Sequence, residues 1–132
     1  IRSEMFIKSI NAFAFNMVAL NTGNTNEQLN QDDKSKKSIR KVMEEGDQIL
    51  KVLNLPIIQD IESRITQTLS SSKHTMSMLH DYKNGKNIEL PYIWSGFENM
   101  ANILGINMEY SKTMYHKVMA KCDIRPHEIK VS

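Results

Sequence analysis

Lys8, Asn11 and Asn16 sit inside the most apolar stretch of this 132-residue sequence. A buried amide or ammonium left unpaired costs about 1–3 kcal/mol or more, so something must satisfy these groups. On a helix turning about 100° per residue, Asn16 lies roughly 80° round from Lys8, and Asn11 roughly 60° the other way. All three can therefore line one polar cleft, a cation with two neutral amides. The alternative is that Lys8 runs out to water and each Asn bonds a neighbouring helix. Other chemistries lack their residues. His74, His80, His116 and His127 show no metal-ligand spacing, and the first two fall on different helical faces. Neither GxGxxG nor GxxxxGK[ST] occurs, so the common phosphate cradles are missing from the chain. Lys34, Lys36, Lys37, Arg40 and Lys41 stand beside Asp32 and Asp33 and ahead of Glu44, Glu45 and Asp47. That pattern reads as a solvated, mixed-charge surface rather than a nucleic-acid face.

Composition bounds the rest. Hydrophobic residues make up 40% and charged residues 24%, which suits a soluble globular chain of one domain, residues 1–132. A net charge of +2, from 17 basic and 15 acidic residues, argues for neither nucleic acid nor an anionic membrane as partner. Nine Met point to an adaptable, thioether-rich core. Cys122 is the single cysteine, so there is no disulfide framework and a cytoplasmic setting fits. No run approaches the roughly 18 apolar residues of a membrane span. The chain opens Ile-Arg-Ser, as if cut from something longer.

Hydrophobic spacing predicts the elements that must position the polar residues. A first helix, about 2–20, is apolar nearly all round and should be central. Thr25 and Gln28 form a capping box that starts a short helix. Asp32 and its neighbours cap a helix over about 34–53, which Pro56 brings to an end. Ile58, Ile61, Ile65 and Leu69 make a second amphipathic stripe, closed by Ser70-Ser71-Ser72. A third carries Met76, Met78, Leu79 and Tyr82. Pro91 opens a helix that Gly105 closes, and the last runs over about 108–120. No strand-like alternation persists, so the expected fold is all-α, a bundle of about six or seven helices.

Later segments add to the first helix. Asn26-Glu27-Gln28-Leu29, Met76-Ser77-Met78-Leu79-His80-Asp81 and Ile88-Glu89-Leu90-Pro91-Tyr92-Ile93-Trp94-Ser95-Gly96 follow Lys8 and Asn16 in order. This succession resembles the C-terminal domain of the ketopantoate reductase (2-dehydropantoate 2-reductase) family over nearly the whole chain. The family pattern is a Lys with Asn at plus four and Asn-Pro at plus eight, then an Asn-Gly-Glu-Leu-like turn. Ser-Ser-Met-Leu-x-Asp and Thr-Glu-Ile-Asp-x-Ile-x-Gly segments complete it. Here Ala12 stands where the first Asn would fall, with Asn11 one position early. Met17 replaces the proline, Met76 the first serine and Pro91 the aspartate after the glutamate.

The resemblance implies a fold like the 6-phosphogluconate dehydrogenase C-terminal domain. It also implies an NADPH-dependent reduction of a 2-oxo acid, as in pantothenate biosynthesis, with the cofactor held by an N-terminal Rossmann domain absent from this chain. Lys8 would be the proton donor, and Glu89 would hold a substrate hydroxyl or orient Lys8. Asn16 and Ser77 would fix hydroxyl and carboxylate, with Asn11 reaching in for the amide lost at Ala12. The chain alone would then be catalytically silent. Its apolar face, open where the Rossmann domain docks, would favour self-association, such as a homodimer. Two readings compete: a relative acting on another 2-oxo or 2-hydroxy acid, and a non-enzymatic helical interaction module with Lys8 and Glu89 far apart and solvated.

Overall fold

The computed structural model describes residues 3–70 and 75–123. Seven helices follow one another: α1 (Ser3–Thr22), α2 (Asn26–Asn30), α3 (Asp33–Val52), α4 (Ile61–Ser70), α5 (Ser77–Lys83), α6 (Leu90–Leu104) and α7 (Glu109–Asp123). No strand occurs among the described residues. The all-α bundle expected from the spacing is therefore the fold. The close at Ser71 and Ser72, the start at Arg2, and His74 and His127 lie outside the described residues.

α1 is the hub, packing on α3, α5, α6 and α7. Phe13 through Leu20 are all buried, as a helix apolar on most sides requires. Phe13 stacks on Trp94 and Phe97 of α6 at ring-centroid distances of 5.8 and 5.0 Å. Met17, Met43, Met78, Met108 and Met114 are buried in the core, as the methionine content anticipates. α3 approaches α1 closely at Gly46. A Cβ there would stand 2.8 Å from Ile10 Cγ2 and 3.1 Å from Cγ1. Ile10 is β-branched and fully buried, so it has little room to yield. Gly46→Ala should therefore lower unfolding free energy by about 1–3 kcal/mol, the range of an overpacked core. A urea melt showing a stabilised variant, as bare helix propensity would give, would contradict this close approach.

Local chemistry sets the helix ends. Thr25 Oγ1 accepts from Gln28 N while Gln28 Oε1 accepts from Thr25 N, completing the expected capping box. Asp32 accepts from Lys34 N and from Ser35 Oγ at the start of α3, and these bonds hold its carboxyl below the ordinary value. α3 ends within a residue of the expected 53, and α4 starts later than its stripe suggests. α3 ends through Asn54, held at φ 57° in the left-handed region. Asn54 N bonds Lys51 O and Leu55 N bonds Leu50 O, a Schellman arrangement that terminates the helix before Pro56 is reached. α4 starts only at Ile61, because Asp60 Oδ1 accepts from Ser63 N. Ile58 is thus outside the buried stripe and 67% exposed.

The acidic run of α3 is not the solvated surface its pattern suggests. Asp47 is only 4% exposed and makes a bidentate pair with Arg64 of α4. Glu45 caps α7, accepting from Tyr110 N at 2.9 Å and from Ser111 N at 2.7 Å. A buried guanidinium and the orphan amides of a helix start each recruit a carboxylate. Arg40 does pair with Glu62 on the surface, and this hydrogen bond holds the Glu62 carboxyl below its ordinary 4.5.

Candidate functional site

α1 is buried from Phe13 to Leu20, but its first half keeps one stripe open. Met5, Lys8, Ser9 and Ala12 are exposed at the three- and four-residue steps of a single helix face. Asn16 continues that face about 40° from Ala12. Nothing in the fold requires a helix so central to leave a stripe uncovered here. The open stripe has a cavity on each side.

On one side, Glu4, Ile7, Lys8, Asn11, Ile58 and Gln59 line a cleft of about 420 Å³. Ile58 joins it because the late start of α4 leaves residues 57–60 in irregular backbone. Asn11 is half-buried, and its Oδ1 accepts from Arg64 Nε at 2.9 Å. Arg64 in turn is only 1% exposed and gives its two remaining nitrogens to Asp47 at 2.8 and 3.1 Å. The chain Asn11–Arg64–Asp47 ties α1, α4 and α3 together. On the other side, Met5, Phe6, Ser9, Tyr92, Ile93, Gly96, Phe97 and Met100 line an apolar groove, also of about 420 Å³. Met5 is 65% and Tyr92 84% exposed at its rim.

Asn16 is buried, and both ends of its amide are engaged. Nδ2 donates to Ala12 O at 2.8 Å, and Oδ1 accepts from Met78 N at 3.0 Å. Met78 is in the first turn of α5, whose N-cap residue Met76 supplies no side-chain cap. Asn16 therefore caps α5 from another helix and holds its start against α1. Ser77, next to Met78, is exposed. Glu89 is the exposed N-cap residue of α6 and makes no side-chain capping bond. α6 reaches α1 through Trp94 and Phe97 on Phe13.

Of the five predicted residues, four fall in two groups along α1 and α5, and Glu89 sits at the start of α6. Asn16 and Ser77 are joined through Met78, while Lys8 and Asn11 share the cleft two turns back along α1. Neither Asn is free in the way a bare ligand site needs: each bonds a neighbouring helix through its oxygen. Arg64 and Asp47 are functional candidates that sequence reading passed over. Their signal was present, since Arg64 lies with Ile61, Ile65 and Thr68 at the spacing of one apolar face.

Among the described residues no group of His, Cys, Asp or Glu could hold a metal ion, and no helix is long and apolar enough to cross a membrane. The sequence carries no GxGxxG or GxxxxGK[ST] loop, and the described residues include no strand. An exposed cation on the open stripe of a largely buried helix, flanked by polar and apolar cavities, suits a small polar ligand. Among curated proteins no match to this chain is found. The family model described as ketopantoate reductase PanE/ApbA C terminal matches residues 1–122, a family of NADP-dependent reductases, and the chain belongs to it.

Proposed function

We propose that this chain is the substrate-binding domain of a two-domain, NADPH-dependent 2-oxo acid reductase, acting on ketopantoate or a close analogue. The observation that carries the reading is the open stripe of α1, with Lys8 exposed on the most buried helix of the fold. NADPH, held by a second domain, supplies the hydride. Reduction of a ketone places negative charge on its oxygen, where a cationic donor is most effective. Lys8 Nζ hydrogen-bonds that oxygen and hands it a proton. Ala12, one turn beyond Lys8, leaves a bare, exposed patch on the stripe for the substrate to lie against. Along the axis, Lys8 and Asn16 are about 12 Å apart. Asn16 keeps the start of α5 in place, and Ser77 and Glu89, at the starts of α5 and α6, hold the hydroxyl-bearing end of the substrate. The apolar groove beside Met5 and Tyr92 faces the cofactor domain, which excludes water from the stripe when it closes.

The identity of residue 12 tests this assignment. Ala12 is exposed between Lys8 and Asn16, so an asparagine there adds an amide without disturbing the core. In the intact reductase, Ala12→Asn should raise kcat/KM for ketopantoate relative to 2-oxo acids without a hydroxyl by roughly 10-fold, the order of one substrate hydrogen bond. Measured NADPH oxidation on a panel of 2-oxo acids would show the shift. An unchanged ranking would place the substrate away from this stripe.

A further inference from the structure

The amide of Asn11 is locked in one orientation by the same buried pair that ties α3 to α4. An arginine can only donate, so the Asn11 atom facing Arg64 Nε must be the oxygen. The amide is planar and half-buried, and its oxygen is turned inward to a side chain buried in the core. The edge left for the cleft is therefore Nδ2, a pure donor with no partner among the described residues. Asp47 holds the guanidinium through both oxygens, which fixes where Nε points. Lys8 lies three residues before Asn11, so the two are neighbours on the helix surface and line the same cleft.

Building on the reductase reading, we infer that Asp47 and Arg64 are positioning residues for a carboxylate subsite made by Lys8 and Asn11. In a 2-oxo acid the ketone oxygen and a carboxylate oxygen sit on adjacent carbons. A cation and an amide donor side by side on one helix match that pair: Lys8 takes the ketone oxygen and Asn11 Nδ2 the carboxylate. Glu4 also lines the cleft, yet it is exposed and forms no ion pair with Lys8 among the described residues. This arrangement places the amide one residue earlier than the family pattern and recruits a buried ion pair to aim it.

The test is a calorimetric titration of the protein with ketopantoate and with its primary carboxamide, which keeps ketone and hydroxyl but is neutral. Wild type should prefer the acid by at least 10-fold. Asn11→Asp keeps an oxygen for Arg64 and turns the cleft-facing edge into an anion. It should melt no lower than wild type and lose that preference. The pair Asp47→Leu with Arg64→Met refills the core and releases the amide, so it should lose most of the preference while staying folded. Should Asn11→Asp fail to fold, this second variant decides. Wild type without the preference, or variants that keep it, would overturn the subsite. Preference through Asn11 with no NADPH oxidation would leave the subsite standing and remove the reductase reading. Turnover with a preference indifferent to Asn11 would do the reverse.

Discussion

On the reductase reading, replacing Lys8 with alanine in the full protein is expected to lower kcat roughly 10²–10⁴-fold, the usual contribution of a positioned general acid. Because Lys8 is exposed and makes no ion pair among the described residues, thermal stability should move by no more than about 0.5 kcal/mol. Lys8→Arg separates charge from proton transfer. A guanidinium keeps the positive charge but does not give up a proton. That variant should therefore retain most of its substrate affinity while kcat stays low. Equal and small effects of both substitutions would make Lys8 a solvated surface residue and favour the interaction-module reading of this domain.

The second large effect concerns folding. Asp47→Ala leaves the Arg64 guanidinium, with no exposed side-chain surface, facing only Asn11. Removing one partner of a buried pair costs about 3–5 kcal/mol, because the remaining charge is desolvated without compensation. For a domain of this size, a loss of that order consumes a large part of total stability. Denaturant unfolding should show the midpoint falling sharply for Asp47→Ala and for Arg64→Ala alone. The double apolar replacement should recover most of the loss, since hydrophobic side chains of similar volume fill the same space. A single variant as stable as wild type would mean that water already reaches the pair. The comparison also separates the two roles of this network: stability returns in the double variant, while control of the Asn11 amide does not.

The fold was legible because its helices are long, strongly periodic and punctuated by recognisable caps. Thr25 with Gln28, Asp32, and Gly105 at φ 70° all act where their residue types predict. The α3 end also falls where expected, through Asn54 in the left-handed region, while the misplaced start of α4 traces to short-range competition, with Asp60 delaying it past Ile58. The polar residues were harder to read, because a side chain's partners depend on tertiary neighbours. The sequence placed Asn11, Asn16 and Lys8 on nearby faces of one helix, and they are. It could not show that Arg64 would take the Asn11 oxygen or that Met78 N would take that of Asn16. Asp47 was hidden in an acidic run whose other members are exposed or half-exposed. An arginine within the apolar spacing of α4 was the available warning, since a buried guanidinium requires a carboxylate nearby.

The central claim is that the open stripe of α1 receives a 2-oxo acid for reduction, and a single-turnover measurement addresses it most directly. The intact protein, loaded with one equivalent of NADPH, is mixed with excess ketopantoate while nicotinamide absorbance is followed. The account predicts complete loss of the reduced signal in wild type, appearance of the hydroxy acid, and a much slower decay in Lys8→Ala. Bound NADPH that persists with ketopantoate and every other 2-oxo acid tried would contradict it.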